Sequence, residues 1–245
     1  MTEDEAFIRA IVDSPGDDTP RLVYADWLDD RDDPRGPYLR AEYEAAQTGD
    51  ILRLWELARR LDSVWVARLS RPPVGVCCDR VRFSNRGDAV TAADIDRFVA
   101  RHTVFLGSDY RAFVLNYNGG TPDPGRAGAV VVERFYRLGG QRRSNEWVDL
   151  SSVYLQHRTD YLGRHYRQED NPWHWNYFPI ATLAQGGHQL CLGIGTCSTG
   201  YLYSLTNSTN YDPNNATRLA LTFTELLLSL NGGPAARANS TQAEK

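Results

Sequence analysis

Apolar residues recur at helical spacing through the first third of the chain and fall into shorter, β-branched and aromatic runs beyond it. Phe7, Ile8, Ile11 and Val12 share one helical face. Thr2-Glu3-Asp4-Glu5 ahead of them has the form of a capping box, with Thr2 as N-cap and Glu5 at the third helical position. Ser14-Pro15-Gly16-Asp17-Asp18 reads as a turn, and Thr19-Pro20 restarts a helix, because proline in the first turn gives up an amide that lacks a helical partner anyway. Tyr24, Trp27 and Leu28 make that helix's stripe. Asp29 to Pro37 is an acidic, proline-bearing loop. A third helix is predicted from about Tyr38 to Thr48, closed by Gly49. A fourth, capped by Asp50, carries Leu54, Leu57, Leu61 and Val64 and ends before Pro72-Pro73. The spacing thus predicts a small helical bundle over residues 1–70.

Residues 71–90 show no period and read as a linker holding the first elements of the next unit. Thr91 caps an amphipathic helix to His102 through Ile95, Phe98 and Val99. A further helix opens at Ser108-Asp109-Tyr110, carries Phe113, Val114 and Tyr117, and closes at Asn118-Gly119-Gly120, where the backbone turns left-handed. Ala129 to Tyr136 is a strand, and Asp149 caps a helix carrying Val153, His157 and Tyr161. Tyr177 to Ile180, Gln189 to Ile194 and Tyr201 to Leu205 read as strands divided by glycine turns. A last helix is expected from about Thr217, with Leu219, Phe223, Leu226, Leu227 and Leu230. The whole reads as an α+β protein: the helical bundle, then over 91–231 an antiparallel sheet flanked by helices, then a polar tail at 232–245 expected to be disordered.

Composition changes this picture little, but charge and chemistry narrow it. No apolar run approaches the roughly 18 residues that span a bilayer, and the acidic N-terminus is unlike a signal peptide, so a cytoplasmic location and no membrane partner are expected. The first 50 residues hold 14 acidic and 5 basic side chains, whereas the remainder carries an excess of arginine. The four cysteines lack the paired spacing of a zinc site and read as packed thiols. Asp26, Asp29, Asp30, Asp32 and Asp33 do not follow the alternation of a calcium loop; a solvated helix end and a partner-facing acidic patch both remain open. No nucleophile elbow, phosphate loop or HExxH is present, and the five histidines are scattered. No catalytic residue, metal or cofactor is therefore expected. The stretch His157 to Tyr177 interleaves Arg158, Arg164 and Arg167 with Tyr161, Tyr166, Trp173, Trp175 and Tyr177. Such interleaving suits stacking on single-stranded nucleic acid, the anchors of a protein interface, or closure of a core. No nucleic-acid partner is expected.

Two resemblances add to this reading. Arg21-Leu22-Val23-Tyr24-Ala25-Asp26-Trp27-Leu28-Asp29-Asp30-Arg31 with Asp33-Pro34-Arg35-Gly36 resembles the hallmark of the bacterial repeat-companion domain, with Asp32 where that family usually has glycine. From residue 91 to 231 the landmarks are Leu106-Gly107-Ser108-Asp109-Tyr110, Asn118-Gly119-Gly120, Pro179-Ile180-Ala181, Gly186-Gly187, Gly200-Tyr201-Leu202-Tyr203 and Phe223. Their order is similar to that of the SUKH superfamily, which includes yeast cell-wall assembly regulators and bacterial toxin-immunity proteins. Gly107 stands for the family's proline and Gly193 for a common aspartate. The resemblance implies a protein-binding module, foremost an immunity-type protein that occludes a protein toxin. A regulatory adaptor with a different partner for each unit is the alternative, and an enzyme is the remote third. Trp173, Trp175, Tyr177 and Arg164, together with Asp29, Asp30 and Asp33, are the expected partner-binding residues.

Overall fold

The computed structural model describes residues 2–139, 149–155, 177–184, 188–195, 199–206 and 216–230. Five helices open the chain: α1 (Glu3–Asp13), α2 (Thr19–Asp29), α3 (Arg35–Thr48), α4 (Leu52–Ala58) and α5 (Ser63–Leu69). The Thr2 hydroxyl accepts the Glu5 amide hydrogen at 3.2 Å and starts α1 where expected. Gly49, at φ 76°, ends α3 in the left-handed conformation. Two expectations fail locally. The third helix begins at Arg35 rather than Tyr38, because the Asp33 carboxylate accepts the Arg35 amide hydrogen at 3.0 Å and so supports the first turn. The single fourth helix is two, because Asp62 turns extended and its carboxylate caps a fresh start by accepting from Trp65 N–H at 2.7 Å. Asp50, expected as the cap of α4, lies two residues before it and accepts from Leu52 N–H at 3.0 Å, while Ile51 takes the N-cap position.

A polar network lies inside the bundle. Arg21 is fully buried and Glu42 is nearly so. The Arg21 guanidinium donates to the Pro15 and Leu69 carbonyls and to Cys77 Sγ, while its Nε stands 3.3 Å from Glu42 without hydrogen-bond alignment. Arg71 reaches Glu42 from the other side at 2.8 Å. A buried charge survives only when paired and hydrogen-bonded, and the acceptors around Arg21 are supplied from four separate places in the chain, at residues 15, 42, 69 and 77.

Residues 71–90, expected as a linker, fold back on α5. Val76 N–H donates to the Ala67 carbonyl at 2.8 Å and Cys77 N–H to that of Ser70 at 3.0 Å. Val76, Cys77, Cys78 and Val81 are buried. The apolar content of this segment, unpatterned in sequence, is used in an irregular conformation that periodicity does not register. Strand β1 (Arg82–Ser84) then pairs antiparallel with β2 (Thr121–Asp123) and packs Phe83 between Phe113, Tyr117 and Phe135.

Helix α6 (Ala92–His102) opens with a complete capping box, Thr91 and Asp94 each accepting from the other's amide. Helix α7 (Ser108–Tyr117) closes on Asn118, whose Oδ1 accepts from Leu138 N–H at 2.7 Å and whose Nδ2 donates to the Asp88 and Leu138 carbonyls. Strands β3 (Arg126–Ala127), β4 (Val130–Phe135), β5 (Tyr177–Leu183), β6 (His188–Gly193), β7 (Leu202–Thr206) and β8 (Thr217–Ala220) form a sheet in that order, every pair antiparallel. Helix α8 is described over 150–155, where Asp149 accepts from Ser152 N–H at 2.9 Å; His157 and Tyr161 lie outside the described residues. Helix α9 is Phe223–Ser229. The last helix thus starts six residues later than expected, because Thr217–Ala220 pairs with β7 and Thr222 is the side chain that caps. The fold class is α+β, with the sheet packed on helices through Phe98–Phe178, Phe113–Phe135 and Phe135–Phe223 ring contacts.

Candidate functional site: the outer face of the sheet

Side chains alternate across a strand, so β6 sends Leu190 and Leu192 into the main core and Gln189 and Cys191 to the opposite face. Register then assigns that face. Pro179 and Tyr203 stand opposite Cys191, Tyr177 opposite Gly193, and Arg218 opposite Tyr203. The Tyr177 and Tyr203 rings meet edge to face at 5.0 Å. The Arg218 guanidinium lies over the Tyr201 ring at 5.5 Å, within cation–π range. Tyr177, Tyr201 and Tyr203 are half-buried and Arg218 is exposed, while Cys191 beneath them is fully buried.

The electrostatics of this face are set mainly by burial. Burial raises the Tyr177 hydroxyl above its ordinary range, with Tyr203 adding to the effect. Burial also raises Tyr203, and the Arg218 charge works against it. The Cys191 thiol is pushed up by burial alone. Cys77 is pushed up to about 11 by burial, against a lowering by Arg21. A thiol is nucleophilic as thiolate, so neither cysteine is primed at neutral pH.

Of the residues expected from sequence, Tyr177 lies on this face; Arg164, Trp173 and Trp175 lie outside the described residues. The acidic group does not join it. Asp29 is bound by Arg40 through Nε at 3.0 Å and through the same Nη at 2.7 Å that meets Asp26 at 2.5 Å. Asp33 holds Arg35 through Nε at 2.9 Å and through Nη at 2.7 Å. Hydrogen bonds from Arg35 keep the Asp33 carboxyl below the usual carboxylate range. Asp30 is exposed at the end of α2. Arg31 covers Trp27 at 3.8 Å. The cluster is therefore an arginine-matched helix end more than an open acidic patch. Among the described residues no group of three or more His, Cys, Asp or Glu could hold a metal ion, and no helix is long and apolar enough to cross a membrane.

Sequence reasoning missed Tyr201, Tyr203 and Arg218 as site residues. The alternation Tyr201-Leu202-Tyr203 is a legible signal of two rings on one face. Arg218 was hidden because its segment was read as helix.

A six-stranded antiparallel meander carried on α6, α7 and α9, with an aromatic face opposite the main core, defines an α+β module. Residues 89–229 match the SMI1 / KNR4 family (SUKH-1), and the chain belongs to that family. No curated protein was found to match the chain.

Proposed function

We propose that the protein is a non-catalytic protein-binding module, an immunity-type protein that neutralises a protein toxin by covering it with the outer face of the sheet. The observation that carries this is the ladder of Tyr177, Tyr203 and Arg218, with Tyr201 under the arginine, on the sheet face opposite the main core of a family member. Interfaces concentrate their energy in a few tyrosine, tryptophan and arginine anchors. Trp173, Trp175 and Arg164 are proposed to contribute to partner binding by their chemistry.

The test is protection of a host cell from protein toxins encoded beside this gene. Wild type is expected to protect, while Tyr203→Ala, Arg218→Ala and Trp175→Ala each weaken toxin binding by about 2 kcal/mol or more with melting unchanged. If affinity holds and melting falls, the tyrosines serve packing and the face is wrongly assigned.

A regulatory adaptor is the second reading, and one observation favours it. Leu52 and Trp55, three residues apart on α4, are 72% and 47% exposed. Together they offer an apolar spot on the N-terminal unit, which we assign to the repeat-companion type. Failure of every neighbouring toxin to be neutralised, with a partner lost on Trp55→Ala, would favour this reading.

A further inference from the structure

Helix α1, helix α5, the 86–89 loop and the end of α7 enclose a cleft of about 170 Å³ between the N-terminal helices and the family domain. Three guanidiniums, Arg9, Arg68 and Arg86, face two carboxylates, Glu5 and Asp13. Arg68 is already committed. It donates to both Glu5 oxygens at 2.9 and 3.1 Å and through Nε to Asn116 Oδ1 at 3.0 Å, and Asn116 returns a hydrogen bond to the Arg68 carbonyl at 2.8 Å. Arg9 and Arg86 line the cleft and are exposed, and among the described residues neither side chain has an ion pair or a hydrogen bond, although the Arg86 charge bears on the Tyr117 hydroxyl. Asp13, the remaining carboxylate, pairs with neither of them.

We propose that this cleft binds one compact oxyanion, with Arg9 and Arg86 as its two donors and the Arg68–Asn116 pair as its fixed floor. A guanidinium presents a planar fork that matches a carboxylate or phosphate. The volume falls well below the several hundred cubic ångströms of a drug-sized pocket, so it admits a single head group. The ligand chemistry is that of a carboxylate side chain or a free phosphate. The site is independent of the sheet face, so the two can fail separately.

Calorimetric titration of the full chain with inorganic phosphate, at constant ionic strength in chloride, tests it. A saturable one-site response is expected, weakened at least about ten-fold in the Arg9→Ala/Arg86→Ala double variant. Arg86→Ala alone should show a smaller loss, and both variants should melt like wild type in chloride. A glutamate-rich hexapeptide that displaces phosphate assigns the site to an acidic side chain; a peptide that leaves phosphate bound assigns it to the free ion. An identical response in wild type and double variant, or no saturable response to either probe, overturns the proposal.

Discussion

Single residues carry more of this fold than their type suggests. Asp32 occupies φ 52°, the left-handed region, where its carbonyl-rich neighbours close the end of α2 through Asp32 N–H to Asp29 and Asp33 N–H to Leu28. A side chain there is strained relative to glycine. Asp32→Gly is accordingly expected to raise stability by about 0.5–1 kcal/mol in urea titration. Next to it, Asp33 has its carboxyl lowered by Arg35, so protons bind it less readily in the folded chain than in the unfolded one. Its stabilisation is full above the unfolded value of about 3.9 and is lost as the pH falls through the lower folded value. Asp33→Asn should therefore flatten the acid limb of the stability profile below about pH 4 and change nothing in its slope near neutrality. Arg21 is the third such residue. Arg21→Ala leaves Glu42 buried beside Arg71 alone and should cost about 3–5 kcal/mol, whereas replacing Arg21 and Glu42 together by Met and Leu should cost far less. Denaturant melts of the three chains separate the price of a broken pair from the worth of the pair.

At the scale of elements, caps and turn residues were the legible part and irregular burial was not. Thr2, Thr91, Gly49 and Asn118-Gly119-Gly120 mark their boundaries in sequence because each satisfies an orphaned helix-end group or a left-handed backbone. Asn118→Ala removes three hydrogen bonds that fasten α7 to residues 88 and 138, and leaves the buried Leu138 N–H without its acceptor. A loss of about 2–3 kcal/mol is expected, read as a lower midpoint with an unchanged slope. Short strands were invisible: β1, β2 and β3 span two or three residues, too few for an alternation to show. Strand β8 reads as part of the following helix because Leu219 continues the helical stripe of Phe223 and Leu226. Only its pairing with β7 exposes it as a strand, and that is a long-range fact. The candidate site suffered the same way. Tyr177 could be singled out by composition, while its partners Tyr203 and Arg218 are joined to it solely by sheet register.

Taken whole, the chain is less modular than two sequence resemblances suggest. Helix α5 lies on α7, the Arg68–Asn116 pair crosses between them, and Val76 and Cys78 fill the space beside Tyr117. One cooperative thermal transition is expected for the full chain, with Arg68→Ala lowering its midpoint and a fragment starting at residue 71 melting earlier. Two separated calorimetric peaks would instead mark independent units. The reciprocal bond between Arg68 and Asn116 has a consequence for anyone who would exchange parts. Asn116 sits on the family domain yet both donates to and accepts from Arg68 on α5. A graft of residues 1–90 onto another sheet module is therefore expected to dock less well where the recipient's second helix offers no amide at that position. Compatibility between the halves includes this side chain as well as the packing around Tyr117, and swaps that ignore it should dock less firmly.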